Sequence, residues 1–368
     1  MRANLRARNL RLYARIPAEL TDGDRFVRAN GICYDTGFLR PGSNSRRRFD
    51  SGLVRRELTV IRDDLHCDAV HLTGGDPERL ELAARHAADL GLEIWFSPYP
   101  LELGTEEMLR LFADCAERAE RIRRRGVEVV FVTGVELSVM NQGFLDGADT
   151  EERLTWLLAD PELRADRMAT ASTRVNAFLR DAVTVVRERF HGSITYAAIP
   201  FEGVDWSPFD FVTYELIRSA EVADRFREGV RGLTAQRKPV AVTGFGTATW
   251  RGAGEVAPRS MEVLENDPVT GAPLRLTRAC ERDEEGQAAY LRELLEIFDS
   301  EGVDSAFVFL FALDNLPHRP DGDPRDDLDL ASLGIVKVLE GGCGETYPDM
   351  PWEPKAAFAA VAECYGGG

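Results

Sequence analysis

The sequence predicts a single α/β domain, a (β/α)8 TIM barrel with long loops after its seventh and eighth strands. Strand-like and helix-like segments alternate along almost the whole chain, and eight strands can be counted. The length of 368 residues suits a barrel, which needs about 250 and tolerates insertions past 400. An open doubly wound sheet carries a Gly-rich phosphate loop after its first strand. Here the first strand runs into Tyr34, Asp35, Thr36, Gly37 and Phe38, which is no such loop.

The first strand is expected over 27–36, followed by a helix over 51–65 with Leu53, Val54, Leu58, Ile61 and Leu65 at helical spacing. A second strand covers 69–73. The helix over 77–90 has Pro77 at its start and Gly91 just past its end. Strand three covers 92–97. The helix over 105–125 takes Thr105 as its N-cap and stops at Gly126. Strand four, 127–133, is continuously apolar and β-branched, as a strand buried on both faces must be. One long helical region follows over 150–190. Strands five to eight are expected at 193–199, 209–214, 239–243 and 305–311, with helices at 220–233, 287–300 and 355–365. Residues 1–26 read as an N-terminal extension and 27–368 as the barrel domain.

The two long loops cover 250–285 and 315–352, and loops of that length in a compact domain are usually functional. The second carries Asp321, Asp323, Asp326, Asp327 and Asp329. Their spacing does not match an EF-hand, so a solvated acidic loop is expected rather than a calcium site. The sequence implies no metal and no cofactor.

Composition narrows the partners. With 62 acidic against 45 basic residues the net charge is -17, which repels phosphate backbones and argues against nucleic acid. No apolar run reaches the roughly 20 residues of a membrane span, and residues 1–15 lack the apolar stretch of a signal peptide. The six cysteines form no CxxC pair, which suits reduced thiols. A cytoplasmic location is the expectation, with a small-molecule or carbohydrate ligand.

Residues just past barrel strand ends share one pocket. The tips offer Tyr34 and Asp35, Thr73 and Asp76, Ser97 and Tyr99, Glu136 and Asn141, Glu202, Tyr214 and Glu215, Thr243 and Trp250, and Asp314 and Asn315. Trp206 and Trp352 lie in adjoining loops. The set is rich in carboxylates and aromatics. Of the five histidines only His318, in the eighth loop, is kept as a weak candidate. Glycosidic chemistry needs such a set: one carboxylic acid protonates the leaving oxygen and a second attacks the anomeric carbon or activates water. Any one of these acids alone is better read as the partner of an arginine. Several converging on one cavity point to function.

At these residues the chain resembles the clan of retaining glycoside hydrolases built on (β/α)8 barrels. It also resembles an actinobacterial hydrolase-like group often labelled "abortive infection protein". The likeness spans roughly residues 31–365 and rests on three short segments. Residues 130–136 (VFVTGVE) resemble the end of strand four, where the clan carries its acid/base glutamate. Residues 238–246 (KPVAVTGFG) resemble the strand-seven segment that normally reads KPVxxTEFG. Residues 352–358 (WEPKAAF) resemble the closing helix.

The resemblance implies Glu136 as proton donor. It supplies no nucleophile, because Gly244 stands at the clan's nucleophilic glutamate and Val135 replaces its asparagine. A retaining pair sits about 5 Å apart, which Gly244 cannot provide. The second carboxyl is then Glu215, Glu202, Asp35 or Asp314. Glu215 is the first choice because strand six neighbours strand seven. Tyr34, Asp76, Tyr99, Asn141, Tyr214, Trp206, Trp250, Asn315 and Trp352 are the expected substrate-binding residues.

Three functions follow. The first is a glycoside-hydrolase-like enzyme acting on a glycoside or sugar-like small molecule by carboxylate acid/base catalysis. The second is a barrel repurposed for acid–base cyclisation or elimination in small-molecule biosynthesis. The third is a non-catalytic ligand-binding pseudo-glycosidase.

Overall fold

Eight parallel strands form one twisted sheet: β1 (Ala29–Gly37), β2 (Ala69–Gly74), β3 (Glu93–Pro98), β4 (Val129–Val135), β5 (Ser193–Ala197), β6 (Val212–Glu215), β7 (Val240–Phe245) and β8 (Ser305–Val308). The structure is a computed structural model describing residues 27–40, 42–267 and 270–367. The extension expected over 1–26 lies outside the described residues. The spatial order is β5-β4-β3-β2-β1-β8-β7-β6. The ends meet where Ala198 bridges Tyr214, with Ala198 N–H donating to Thr213 O at 3.1 Å and Glu215 N–H to Ala198 O at 2.9 Å. The chain is therefore a (β/α)8 TIM barrel. Followed once around, the register returns to β1 about eight residues lower, the stagger an eight-stranded barrel needs.

The surrounding helices are α1 (Ser51–Asp63), α2 (Pro77–Asp89), α3 (Thr105–Arg123), the single turn α4 (Leu137–Met140), α5 (Thr150–Leu158), α6 (Arg164–Arg187), α7 (Ala223–Thr234), α8 (Glu284–Ser300) and α9 (Ala356–Gly366). Two departures from the sequence expectation have a clear local cause. Helix α3 is capped by Gly104 rather than Thr105, and Glu107 reaches back to Gly104 N–H at 3.0 Å. The region expected as one helix over 150–190 is two. Between them Asp160 accepts the Glu162 N–H at 2.9 Å, and Pro161, which has no N–H to give, cannot continue α5.

Alternation along the strands sorts the apolar residues into two cores. Ile32, Tyr34, Val70, Leu72, Ile94, Phe96 and Phe131 point outward and pack under the helices. Ala29, Cys33, Ala69, Trp95, Val130, Val132, Ala241 and Phe307 fill the barrel. By register and alternation the inward side chains stack in layers. Thr73, Val135, Glu215 and Phe309 come from the even strands. Beneath them lie Cys33, Ser97, Ala197 and Gly244 from the odd strands. Close packing deeper down is visible at Gly31, where a Cβ would meet the ring of Phe307, Cε1 at 2.5 Å.

Polar groups lock the outer shell. Glu57 of α1 is buried, and accepts from Tyr34 Oη at 2.5 Å, Arg46 Nη2 at 2.5 Å and Trp352 Nε1 at 3.1 Å. Removing one member of a buried ion pair leaves the other charge unpaired, at a cost of about 3–5 kcal/mol. Glu57→Ala is expected to lower stability by about that amount, read as a lower urea midpoint at unchanged slope.

The long loops after β7 and β8 are tied together by charge. Arg282 reaches Asp327 at 2.9 Å and Asp329 at 2.8 Å. Buried Lys355 meets Asp329 and Thr249 Oγ1, each at 2.9 Å. Asp323 pairs with Arg275 at 2.8 Å. The acidic run is thus solvated, as expected from sequence, at Asp321, Asp323 and Asp326. Asp327 and Asp329 depart from that expectation: they serve as counter-charges inside the wall, where Arg282 and Lys355, distant in sequence, satisfy them. His318 belongs to the same cluster, with Nδ1 3.0 Å from Asp327.

Candidate active site

Glu136 stands one residue beyond β4, in a left-handed conformation at φ 46°. A bulge between Val132 and Val135 shifts the inward pattern just below it. Its backbone is held on both sides: its N–H donates to Ala197 O at 2.9 Å, and its carbonyl accepts Val139 and Met140 N–H, each at 3.1 Å. The first two N–H groups of α4 are met from β5 and the turn after it. Leu137 N–H donates to Tyr196 Oη at 2.8 Å and Ser138 N–H to Glu202 Oε1 at 3.1 Å.

Glu215 closes β6. A bulge between Val242 and Gly244 on β7 sets it opposite Gly244. Its Oε1 accepts from Thr243 Oγ1 at 2.6 Å. A Cβ built on Gly244 would overlap Glu215 Oε2 and lie 2.9 Å from its Cδ. The Glu215 carboxyl thus fills the volume in which a side chain at 244 would begin.

Both carboxyls keep some solvent contact, yet the packing around them strips away most of their water. Burial, with the charges of Glu215 and then Glu202, raises Glu136 to about 8. Burial raises Glu215 to about 7, against the Thr243 hydrogen bond that lowers it. Tyr99 joins them: burial raises its hydroxyl, and the charges of Glu136 and Glu215 add to the effect. Its ring meets Phe38 edge-on at 5.0 Å, and Phe38 lies 6.4 Å from Phe309. The sequence reading missed Phe38, Phe309 and Arg40, which acts on Tyr99. They lie past the first and eighth strands, so a wider window at the tips would have included them.

Beneath this pair Cys33 Sγ is 3.1 Å from His71 Nδ1 and 3.0 Å from Thr243 O. Burial, then the charge of Glu215, pushes the thiol up. Burial lowers His71 to about 4. A neutral thiol beside a neutral imidazole is a floor, not a nucleophile. Thr73 Oγ1, Ser97 Oγ and His71 Nε2 on the walls have no hydrogen-bond partner in the protein.

Most other expected site residues are placed elsewhere. Tyr34 and Tyr214 point outward, because side chains alternate and their neighbours Asp35 and Glu215 take the inward direction. Tyr214 receives Trp206 Nε1 at 3.2 Å, which occupies that indole in the outer shell. Trp352 is buried against Phe311 and Glu57. Trp250 packs under the seventh loop and donates to Ser260 O at 2.9 Å. Asn141 is buried as a clamp between Leu103 N–H at 3.2 Å and Pro100 O at 3.0 Å. Asp76 is the N-cap of α2.

The remaining acids are engaged as well. Asp35 points inward but accepts Gly37 N–H and Ser45 Oγ, each at 2.6 Å, and burial raises it to about 6. Glu202 is fully buried beneath α4 and supports Glu136 rather than facing the cavity. Asp314 sits 3.6 Å from Arg46 Nε, with burial raising it to about 7. Asn315 keeps a buried Oδ1 without a partner. Among the expected catalytic and binding groups, Glu136, Glu215 and Tyr99 are brought together at one place, while Asp35, Asp314 and Tyr34 gather around Arg46.

Among the described residues, no helix is long and apolar enough to cross a membrane, and no three His, Cys, Asp or Glu side chains are grouped to hold a metal ion.

No family model matches the chain, and no curated protein matches it. Solved structures do. A GH113 β-1,4-mannanase aligns with a TM-score of 0.58 at 14% identity, covering 94% of this chain and 100% of the mannanase. The GH113 β-mannanase of Alicyclobacillus acidocaldarius gives 0.56 at 15%, covering 93% and 98%. A β-glucuronidase of Bacteroides uniformis gives 0.56 at 11%, covering 92% of this chain and 34% of that one. At such identities the likeness is one of fold: a glycoside-hydrolase-like (β/α)8 barrel.

Proposed function

We propose that the protein hydrolyses a glycoside or sugar-like small molecule, with Glu136 as general acid and Glu215 as the second carboxylate. One observation carries this reading. The carboxyl of Glu215 occupies the space beside Gly244, facing the mouth where Glu136 stands without a cationic partner. The mannanase and glucuronidase neighbours share the fold on which this chemistry is proposed. Thr73 Oγ1, in the layer of Glu215 and without a protein partner, suits a ligand hydroxyl.

With no side chain at Gly244 the second carboxyl is rooted on β6, and the proposed course is inverting, with Glu215 as base for water. A glutamate at 244 would carry its carboxyl two C–C bonds beyond Cβ. Glu215 instead reaches that space from β6, its Oε2 overlapping the Cβ position and its Cδ 2.9 Å from it. Inversion needs the two carboxyls about 6.5–9.5 Å apart, to admit water, against about 5 Å for retention. In the proposed step the Glu136 proton passes to the leaving oxygen as the glycosidic C–O bond breaks. A water oxygen bonds to the anomeric carbon, and its proton goes to Glu215. A screen of chromogenic glycosides tests turnover, and proton NMR of the first-formed anomer tests inversion. Tight sugar binding without turnover over long incubation would replace this reading with a binding protein.

The pH profile follows from the two shifts. Activity needs Glu215 ionised, which is lost as pH falls through about 7. It needs Glu136 protonated, which is lost as pH rises through about 8. The expected kcat/KM profile is a narrow bell between those values, its limbs belonging to the coupled pair. A profile flat from pH 5 to 9 would remove both assignments.

A second reading draws on the Phe38, Tyr99 and Phe309 wall. Aromatic faces stabilise cations, which suits an acid–base cyclisation or elimination. Products other than a free sugar would favour it.

A further inference from the structure

Glu136 adopts a left-handed backbone that an L-residue holds only when its surroundings impose it. Those surroundings are specific. The α4 N–H groups that follow it are received by Tyr196 Oη and Glu202 Oε1 at 2.8 and 3.1 Å. Tyr196 Oη in turn donates to Glu202, 2.8 Å from each oxygen. The other oxygen, Oε2, accepts Ile199 N–H at 3.1 Å. Donors thus surround Glu202 on both oxygens. Burial raises its pKa, and the hydrogen bonds from Ser138, Tyr196 and Ile199 offset only part of that rise. A fully buried carboxyl met only by donors is matched to the ionised form.

We propose that Tyr196 and Glu202 are positioning residues that fix Glu136 at the barrel mouth and keep it protonated for its role. This rests on the reading of Glu136 as the proton donor. Tyr196 closes the loop between backbone and charge: one hydroxyl receives the N–H next to Glu136 and donates to the anion behind it. The charges acting on Glu136 are those of Glu215 from β6 and Glu202 from the turn after β5, and Glu136 in turn acts on Tyr196 from β5 and Tyr99 after β3. Glu202 is the second charge that raises Glu136, after Glu215. Its neutralisation lowers the Glu136 midpoint.

The test is a carbon-13 NMR titration of the full chain labelled at glutamate carboxyls, with the Glu136 signal assigned by its loss in Glu136→Gln. In Glu202→Gln the Glu136 midpoint is expected to fall by about one pH unit, and the alkaline limb of the rate profile to move with it. In Tyr196→Phe, kcat is expected to fall about 10²-fold with KM nearly unchanged. A purely structural role would lower stability and leave the midpoint where it was. An unchanged Glu136 midpoint in Glu202→Gln overturns the proposal. If that variant does not fold, the same titration of Tyr196→Phe decides: a displaced midpoint supports the proposal and an unchanged one ends it. The titration needs no substrate, so it stands apart from any failure to find turnover.

Discussion

Glu136→Gln is expected to lower kcat/KM about 10²–10⁴-fold on glycosides with poor leaving groups. The amide side chain has nearly the same shape and can donate a hydrogen bond, but it cannot release a proton. The loss should depend on the leaving group. An aryl group that departs as a stable anion needs no proton, so dinitrophenyl glycosides should lose far less rate than alkyl ones. The alkaline limb of the pH profile, set by Glu136 at about 8, should vanish in the variant. Its stability should be nearly unchanged or improved, because a half-buried acid that burial and Glu215 push up is replaced by a neutral group. Equal rates in the two proteins on an alkyl glycoside would remove Glu136 from the mechanism. A uniform loss across all leaving groups would reassign it to substrate binding.

The barrel was legible because its signal is local. Each strand is a short apolar run, each helix has its own spacing and stop signals, and eight repeats of the pattern leave few alternatives. The site was legible only in part, because a strand tip carries two or three polar residues and alternation sends one of them inward. At Tyr214 and Glu215 the inward residue is the acid, and at Tyr34 and Asp35 it is again the acid. Bulges at Asp35/Gly37 on β1, Val132/Val135 on β4 and Val242/Gly244 on β7 change the parity at those tips. A bulge depends on pairing with another strand, so it leaves no mark in the run that contains it. The polar residues set aside as partners of one another, such as Asn141 with Pro100 and Leu103, required knowledge of which loops touch. Gly244 shows the same limit from the other side. The sequence registers a missing side chain there, but the fit between that gap and the Glu215 carboxyl exists only across the β6–β7 pair.

That fit supplies the other large effect. Gly244→Ala places a methyl group where Glu215 Oε2 now lies. Its φ lies outside the left-handed region, so the penalty is one of space. Either the carboxyl leaves Thr243 or the β6–β7 pair is strained, at about 1–3 kcal/mol. Displacing the second carboxyl should lower kcat about 10²-fold. In a Glu215→Ala background the obstacle is gone, so the same alanine should be almost free of cost. A double-mutant cycle on urea unfolding should then show coupling well above the few tenths of a kcal/mol of independent sites. Additive effects would mean that the two residues do not share that space. The sharper test moves the carboxylate rather than removing it. Gly244→Glu combined with Glu215→Ala restores an acid rooted on β7 rather than on β6. If rooting the carboxyl on β6 is what makes room for water, this variant should bring the pair to the spacing of about 5 Å that retention needs. It should then turn over a reactive glycoside with retention where the parent inverts. The same anomer from both proteins would show that the strand bearing the carboxyl does not choose the stereochemical course, whatever else Glu215 does.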